Sequence, residues 1–258
     1  MTSYSALKTT SASGLDEGKS AADSAREDTF REDREPVAAP ALAAVAVAGD
    51  QPVRRPAADT IHAFPRGAEA GTLLHDLLQW ACDTGFAEAL ADPARLRDIV
   101  ARYCARRGWE RWIEVVHAWL QAFIAAPWPL PDATPLALVA LSPARAVAEM
   151  EFWFAIHQAD TVRLDALVSA HVFPGQPRPP LAPQSLNGML KGFIDLVFEH
   201  GGRYYVADYK SNTLGVTDSD YTAAAMQLEM AARRYDLQLA LYLLALHRHL
   251  RARLPDYD

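Results

Sequence analysis

The chain reads as an α/β protein, and three observations carry that reading. Apolar residues recur at helical spacing from about Gly71 to Phe123 and again from Tyr221 to Leu254. Between Arg145 and Ile156 the period falls to two. Two further extended runs, Gly188 to Glu199 and Arg203 to Asp208, meet at Gly201-Gly202, a pair suited to a two-residue hairpin loop. The expected order is therefore helices, three strands, then a helix. Of 258 residues 50% are hydrophobic, enough to bury a sizeable core.

Residues 1–60 read as a disordered or linker segment and 61–258 as the folded domain. Ser, Thr, Ala, Pro and alternating charges dominate the first part, as in Arg31-Glu32-Asp33-Arg34-Glu35. The Ala/Val tract from Pro36 to Gly49 is short and broken by Pro40, and the amino terminus lacks the basic-then-apolar order of a signal peptide. A cytoplasmic protein without a membrane span is the expectation. The first helix carries Leu73, Leu74, Leu77, Leu78 and Ala81 on one stripe, with His75 and Gln79 beside it. A second begins at Asp92-Pro93, a capping residue followed by proline at the first helical position. Trp112, Val115, Val116, Trp119, Leu120 and Phe123 form a third, stopped by Pro127 and Pro129. Cys82 and Cys104 match neither a disulfide framework nor a metal cluster and read as reduced thiols.

In the first strand Met150, Phe152, Phe154 and Ile156 face one way and Glu149, Glu151 and Trp153 the other. A Pro-rich loop from Phe173 to Pro183 leads to the hairpin. There, Phe193, Asp195 and Val197 are expected on one face and Ile194, Leu196 and Phe198 on the other. If His200 and Arg203 flank the loop, Asp195 stands opposite Asp208, with the two carboxylates roughly 4.5 to 5.5 Å apart. Like charges so placed destabilise a hairpin unless neutralised, and a hard divalent cation bound through oxygen is the usual remedy. Lys210, two residues on, shares the face of Asp208. Such a set suits phosphodiester hydrolysis, with Glu149 as a third acid and His75 as a nitrogen ligand. A solvated surface hairpin is the bland alternative, and the apolar opposite faces of both strands argue against it.

The net charge of -7 argues against a nucleic-acid partner at first sight. Much of the acidic excess lies before residue 61 or among the proposed ligands, and the segment from Tyr221 to Leu254 carries Arg233, Arg234, Arg248, Arg251 and Arg253 against Glu229 and Asp236. A solvated helix surface is the plainer reading of those arginines.

The segments GMLKGFIDLVF (Gly188 to Phe198), RYYVADYKSN (Arg203 to Asn212) and YDLQLALY (Tyr235 to Tyr242), with Phe64 to Ala68, Gly71 to His75 and Glu149 to Phe152, closely resemble the carboxy-terminal nuclease domain of the RecB subunit of exodeoxyribonuclease V. More broadly the chain is similar to the PD-(D/E)XK nuclease superfamily, from about residue 62 to the end. The resemblance implies a restriction-endonuclease-like core, a mixed sheet flanked by helices, and magnesium-dependent cleavage of linear double- and single-stranded DNA beside RecC- and RecD-type subunits in double-strand break repair and recombination. It implies His75, Asp195 and Asp208 as metal ligands, joined by the backbone carbonyl of Tyr209. Glu149 becomes the early-strand acid, Lys210 the catalytic lysine, and Gln238 with Tyr242 a helix pair that completes the site and faces DNA. The family's motor domains precede its nuclease and a further strand follows the last helix, so this chain is expected to be a separate or incomplete nuclease domain. The competing reading is a catalytically silent DNA-binding or subunit-docking module; an iron-sulfur nuclease would need four cysteines.

Overall fold

A computed structural model describes residues 2–3, 55–131 and 134–257. Four helices come first: α1 Ala68–Thr84, α2 Phe86–Ala91, α3 Pro93–Ala105 and α4 Ile113–Ala125. Asp92 caps α3 by accepting from the Arg95 N–H at 3.0 Å, with Pro93 at the first helical position. Leu73, Leu77, Leu78 and Ala81 of α1 pack with Leu96 and Val100 of α3 and Val116, Leu120 and Ile124 of α4. Before the main sheet lie two short strands, β2 Pro127–Trp128 and β3 Leu136–Ala137, which pair with each other.

The main sheet is mixed. Its long members are β4 Ala146–Asp160 and β5 Ser185–His200, antiparallel to each other; β6 Arg203–Ala207 pairs with the far end of β5, and β1 Thr2–Ser3 lies parallel beside Leu190 and Lys191. Gly201 and Gly202 both take positive φ, 59° and 76°, so the hairpin loop has the primed geometry that matches strand twist. His200 pairs with Arg203 and Leu196 with Ala207, the register the hairpin residues imply. Thr2–Ser3 falls inside the segment expected to be disordered or linker; β5 is covered by β6 only from Leu196 on, which leaves backbone groups near Leu190 to accept a strand. Positions 1 and 4–54 of that segment lie outside the described residues, and 55–60 run as coil and turn without a helix or strand.

Between β4 and β5 comes α5 Thr161–His171, capped by Asp160, whose Oδ1 accepts from the Val162 and Arg163 N–H groups at 2.8 and 3.3 Å. The sequence pattern does not announce this helix, because its buried residues are only Thr161 and Val168. The single carboxy-terminal helix expected from Tyr221 to Leu254 is in fact two, α6 Ala223–Ala232 and α7 Tyr235–Arg253. They break at Arg234, held in the left-handed region at φ 61°.

The reason for that break is a buried ion network. The Arg234 guanidinium meets Asp165 Oδ1 at 2.8 Å, Asp236 Oδ1 at 3.2 Å and the Pro179 carbonyl at 2.8 Å, and Arg178 of the Pro-rich loop binds the other oxygen of Asp236. Arg233 is tied to Glu229 at 2.9 Å. Of the five arginines that suggested a basic face, Arg234 is thus internal structure, while Arg233 stays exposed at the end of α6.

Two apolar clusters sandwich the sheet. Leu196 and Phe198 join the α1–α4 cluster, whereas Leu190, Ile194 and Val197 join Leu237, Leu241, Tyr242 and Leu246 of α7. Ile194 and Leu196, expected on one face, therefore serve opposite layers. The switch falls at Asp195, beside Glu149, whose φ of 49° kinks the facing strand. On β4, likewise, Ala146 and Ala148 pack toward the first cluster and Met150, Phe152, Phe154 and Ile156 toward the second.

Candidate metal centre at the kink of the sheet

At this kink four elements meet. From α1, His75 projects toward β5, its Nδ1 3.5 Å from Asp195 Oδ2 and its Nε2 3.0 Å from the Tyr209 carbonyl oxygen. A carbonyl only accepts, so Nε2 carries a proton, and Nδ1 is turned toward the carboxylate. Glu149 completes a group in which one ligand atom each from His75, Glu149 and Asp195 lies within 4.8 Å of the others. Two carboxylates and an imidazole nitrogen gathered this closely could hold a divalent cation, and a ring N–H held by a backbone carbonyl is the usual support for a ligating histidine.

Asp195 is 5% exposed. Burial first, and the charge of Asp208 second, hold its carboxyl well above the usual carboxylate range; Lys210 and the Tyr209 N–H pull the other way. The Tyr209 N–H donates to Asp195 Oδ2 at 2.6 Å. A side-chain oxygen thus takes over where the β5–β6 ladder ends at Ala207, and this turns the chain so that the next residues line the site.

Asp208 and Lys210 form the other half. Lys210 Nζ lies 2.8 Å from Asp208 Oδ2 and 4.5 Å from the centroid of the Tyr235 ring. Tyr235, at the start of α7, is a supporting residue that sequence reading took only for a helix-inner position; its hydroxyl donates to Asn212 Oδ1 at 3.2 Å. The Phe123, Trp128 and Tyr209 rings pack edge to face behind the site, with centroids 5.4 to 6.3 Å apart.

Gln238 and Tyr242 do share a helical face, and Gln238 Nε2 donates to the Tyr242 hydroxyl at 2.8 Å. Both are buried, 5% and 4% exposed, and the Tyr242 ring meets Phe152 at 5.7 Å. The open surface expected of this pair is thus replaced by a place in the wall between α7 and β4. The Gln238 Oε1 atom has no hydrogen-bond partner among the described residues.

A sheet whose paired acidic strands present carboxylates and a lysine at a kink, wrapped by helices on both faces, defines a nuclease core, and the chain belongs to the PD-(D/E)XK nuclease superfamily, which it matches over residues 51–256. Within that superfamily it is similar to the RecBCD enzyme subunit RecB of Escherichia coli (strain K12), at 44% identity over 77% of this chain and 16% of that protein. The RecB subunits of Haemophilus influenzae and Mycobacterium tuberculosis (strain CDC 1551) are 35% and 32% identical over 76% of this chain and 15% and 20% of their own lengths. The chain thus spans about a sixth of the length of the relatives it matches. Among the described residues no helix is long and apolar enough to cross a membrane.

Proposed function

We propose that this chain is a magnesium-dependent DNA nuclease domain that hydrolyses phosphodiester bonds during double-strand break repair and homologous recombination, processing DNA ends in the manner of RecBCD. The observation that carries the reading is the convergence of His75, Glu149 and Asp195 at one point, with Asp208 and Lys210 alongside. His75, Asp195, Asp208 and the Tyr209 carbonyl, which has a second lone pair, hold the cation; hard oxygen donors and one imidazole suit magnesium. A bound divalent cation would polarise a phosphoryl oxygen and lower the pKa of its water. Glu149 would orient that water, Lys210 would place positive charge against the developing oxyanion, and Gln238 with Tyr242 would fix the wall behind them. The substrate is linear double- and single-stranded DNA, the partners are RecC- and RecD-type subunits, and the setting is cytoplasmic.

The second reading, a catalytically silent DNA-binding or docking module, is disfavoured because the acids and the lysine are all present and brought together. Degradation of linear DNA with magnesium separates the two. Asp208→Ala and Lys210→Ala should each lower the rate by about a hundredfold or more while leaving the thermal midpoint near that of wild type. Variants as fast as wild type would overturn the assigned roles.

A further inference from the structure

We propose that the outer face of the β4–β5 arm is a single-strand track that feeds the metal centre, with Trp153 as a base-stacking platform and Lys191 as its phosphate contact. The inference rests on the nuclease reading above and names the form of DNA that the site receives. In the β4–β5 register Ala155 faces Met189, Trp153 faces Lys191 and Glu151 faces Phe193. Beyond Glu151 and Phe193, at the kink, come Glu149 and Asp195, two of the three convergent side chains. The even-numbered neighbours Phe152, Leu190 and Ile194 turn inward against α7, so the odd-numbered side chains form one continuous outer row.

The chemistry of that row is unusual for a solvated strand. Trp153 is 48% exposed and Met189 37% exposed. Lys191 Nζ stands 4.5 Å from the Trp153 ring centroid and 5.2 Å from that of Phe193. Glu151 accepts from the Trp153 indole N–H at 2.8 Å and pairs with Lys191 Nζ at 2.5 Å. The carboxylate therefore fixes both the indole and the ammonium, and a ring held in place loses little freedom when a base stacks on it. Around the open edge of β4, a cavity of about 410 Å³ continues the row, lined by Trp153, Phe154, Met189, Arg248 and His249, with Arg248 5.3 Å over the Phe154 ring. Rings interleaved with cations are the pattern that binds unpaired bases and their backbone, and duplex DNA hides the base faces that such rings need. Trp153 lies four residues from Glu149, about 13 Å along the strand, so a strand stacked there reaches the carboxylates within a few nucleotides.

Fluorescence anisotropy of a labelled oligothymidylate and of a duplex, in EDTA so that nothing is cut, tests the track. Trp153→Ala should weaken oligothymidylate binding roughly tenfold, Trp153→Phe should keep most of the affinity, and duplex binding should stay within about twofold. Lys191→Gln should flatten the dependence of log affinity on log salt by about 0.7. Both Trp153→Ala and Lys191→Gln should hydrolyse bis(p-nitrophenyl) phosphate with magnesium at the wild-type rate, since that diester is too small to reach the row. Oligothymidylate binding unchanged by Trp153→Ala, or lost equally for single strand and duplex, would overturn the track. Should wild type cut neither DNA nor the small diester while Trp153-dependent binding persists, the nuclease reading falls and the track stands.

Discussion

Asp195 concentrates the electrostatic cost of this fold at one side chain. A carboxyl whose folded-state pKa lies above its unfolded value is disfavoured when ionised, so with metal stripped the contribution of Asp195 to stability is most favourable in acid and is lost as pH rises through the carboxylate range. Asp195→Asn keeps an oxygen to accept the Tyr209 N–H and removes the charge. In EDTA at pH 7 its thermal midpoint should exceed that of wild type by a few degrees, about 1 kcal/mol, and the difference should vanish below about pH 4. Magnesium at a hundredfold excess over Kd should stabilise wild type by about 2.7 kcal/mol and leave Asp195→Asn unmoved. Scanning calorimetry across pH checks both, and an equal magnesium response in the two proteins would remove Asp195 from the ligand set. The thiols make a separate case. Burial, then the charge of Asp83, pushes Cys82 up to about 11, and burial raises Cys104 as well. Neither should react appreciably with a thiol reagent at pH 8 until denaturant is added; rapid labelling of the native protein would contradict the packing of α1 and α3.

At the scale of elements, strand pairing and helix breaks are fixed by close contacts that composition does not reveal. A Cβ at Gly192 would lie 2.5 Å from the Phe152 ring, which is boxed by Phe154 at 5.8 Å and Tyr242 at 5.7 Å. The ring has little room to give, so Gly192→Ala should cost about 1–3 kcal/mol by urea denaturation. The network of Arg178, Asp236, Arg234 and Asp165 joins the Pro-rich loop, α5 and the first turn of α7, where Asp236 stands two residues before Gln238. Asp236→Ala leaves two guanidinium groups without that buried carboxylate and should cost about 3–5 kcal/mol. A smaller loss, under about 1 kcal/mol, would mean the arginines escape to solvent. The hairpin register was legible in advance because two glycines and alternating side chains leave little choice. The break at Arg234 was not, since a helical period runs through it and only partners far along the chain account for its backbone.

For the whole molecule, β5 supplies both cores. Leu196 and Phe198 belong to the layer built on α1, α3 and α4, and Leu190, Ile194 and Val197 to the layer built on α7. One strand cannot leave one layer without disturbing the other, so unfolding should be cooperative across both. Leu120→Ala and Leu237→Ala, each fully buried and on opposite layers, should lower the midpoint of one common transition, with about 2–5 kcal/mol lost in each case. Two separated transitions in calorimetry would show the layers to be independent. Joining these layers also assembles the candidate metal centre, because His75 comes from the first and Tyr235, behind Lys210, from the helix of the second.

The sequence by itself determined the α/β class and the hairpin register, and it singled out the acids, imidazole and lysine from which a metal site is proposed, because side-chain period, turn glycines and acid placed opposite acid are local properties. Only the tertiary structure decided which of those residues converge. The strand kink at Glu149, the reversal of faces at Asp195, the burial of Gln238 and Tyr242 and the splitting of the last helix all come from packing between distant segments. Such contacts bring together groups more than a hundred positions apart, as between His75 and Tyr209, and no local pattern encodes a distance of that kind.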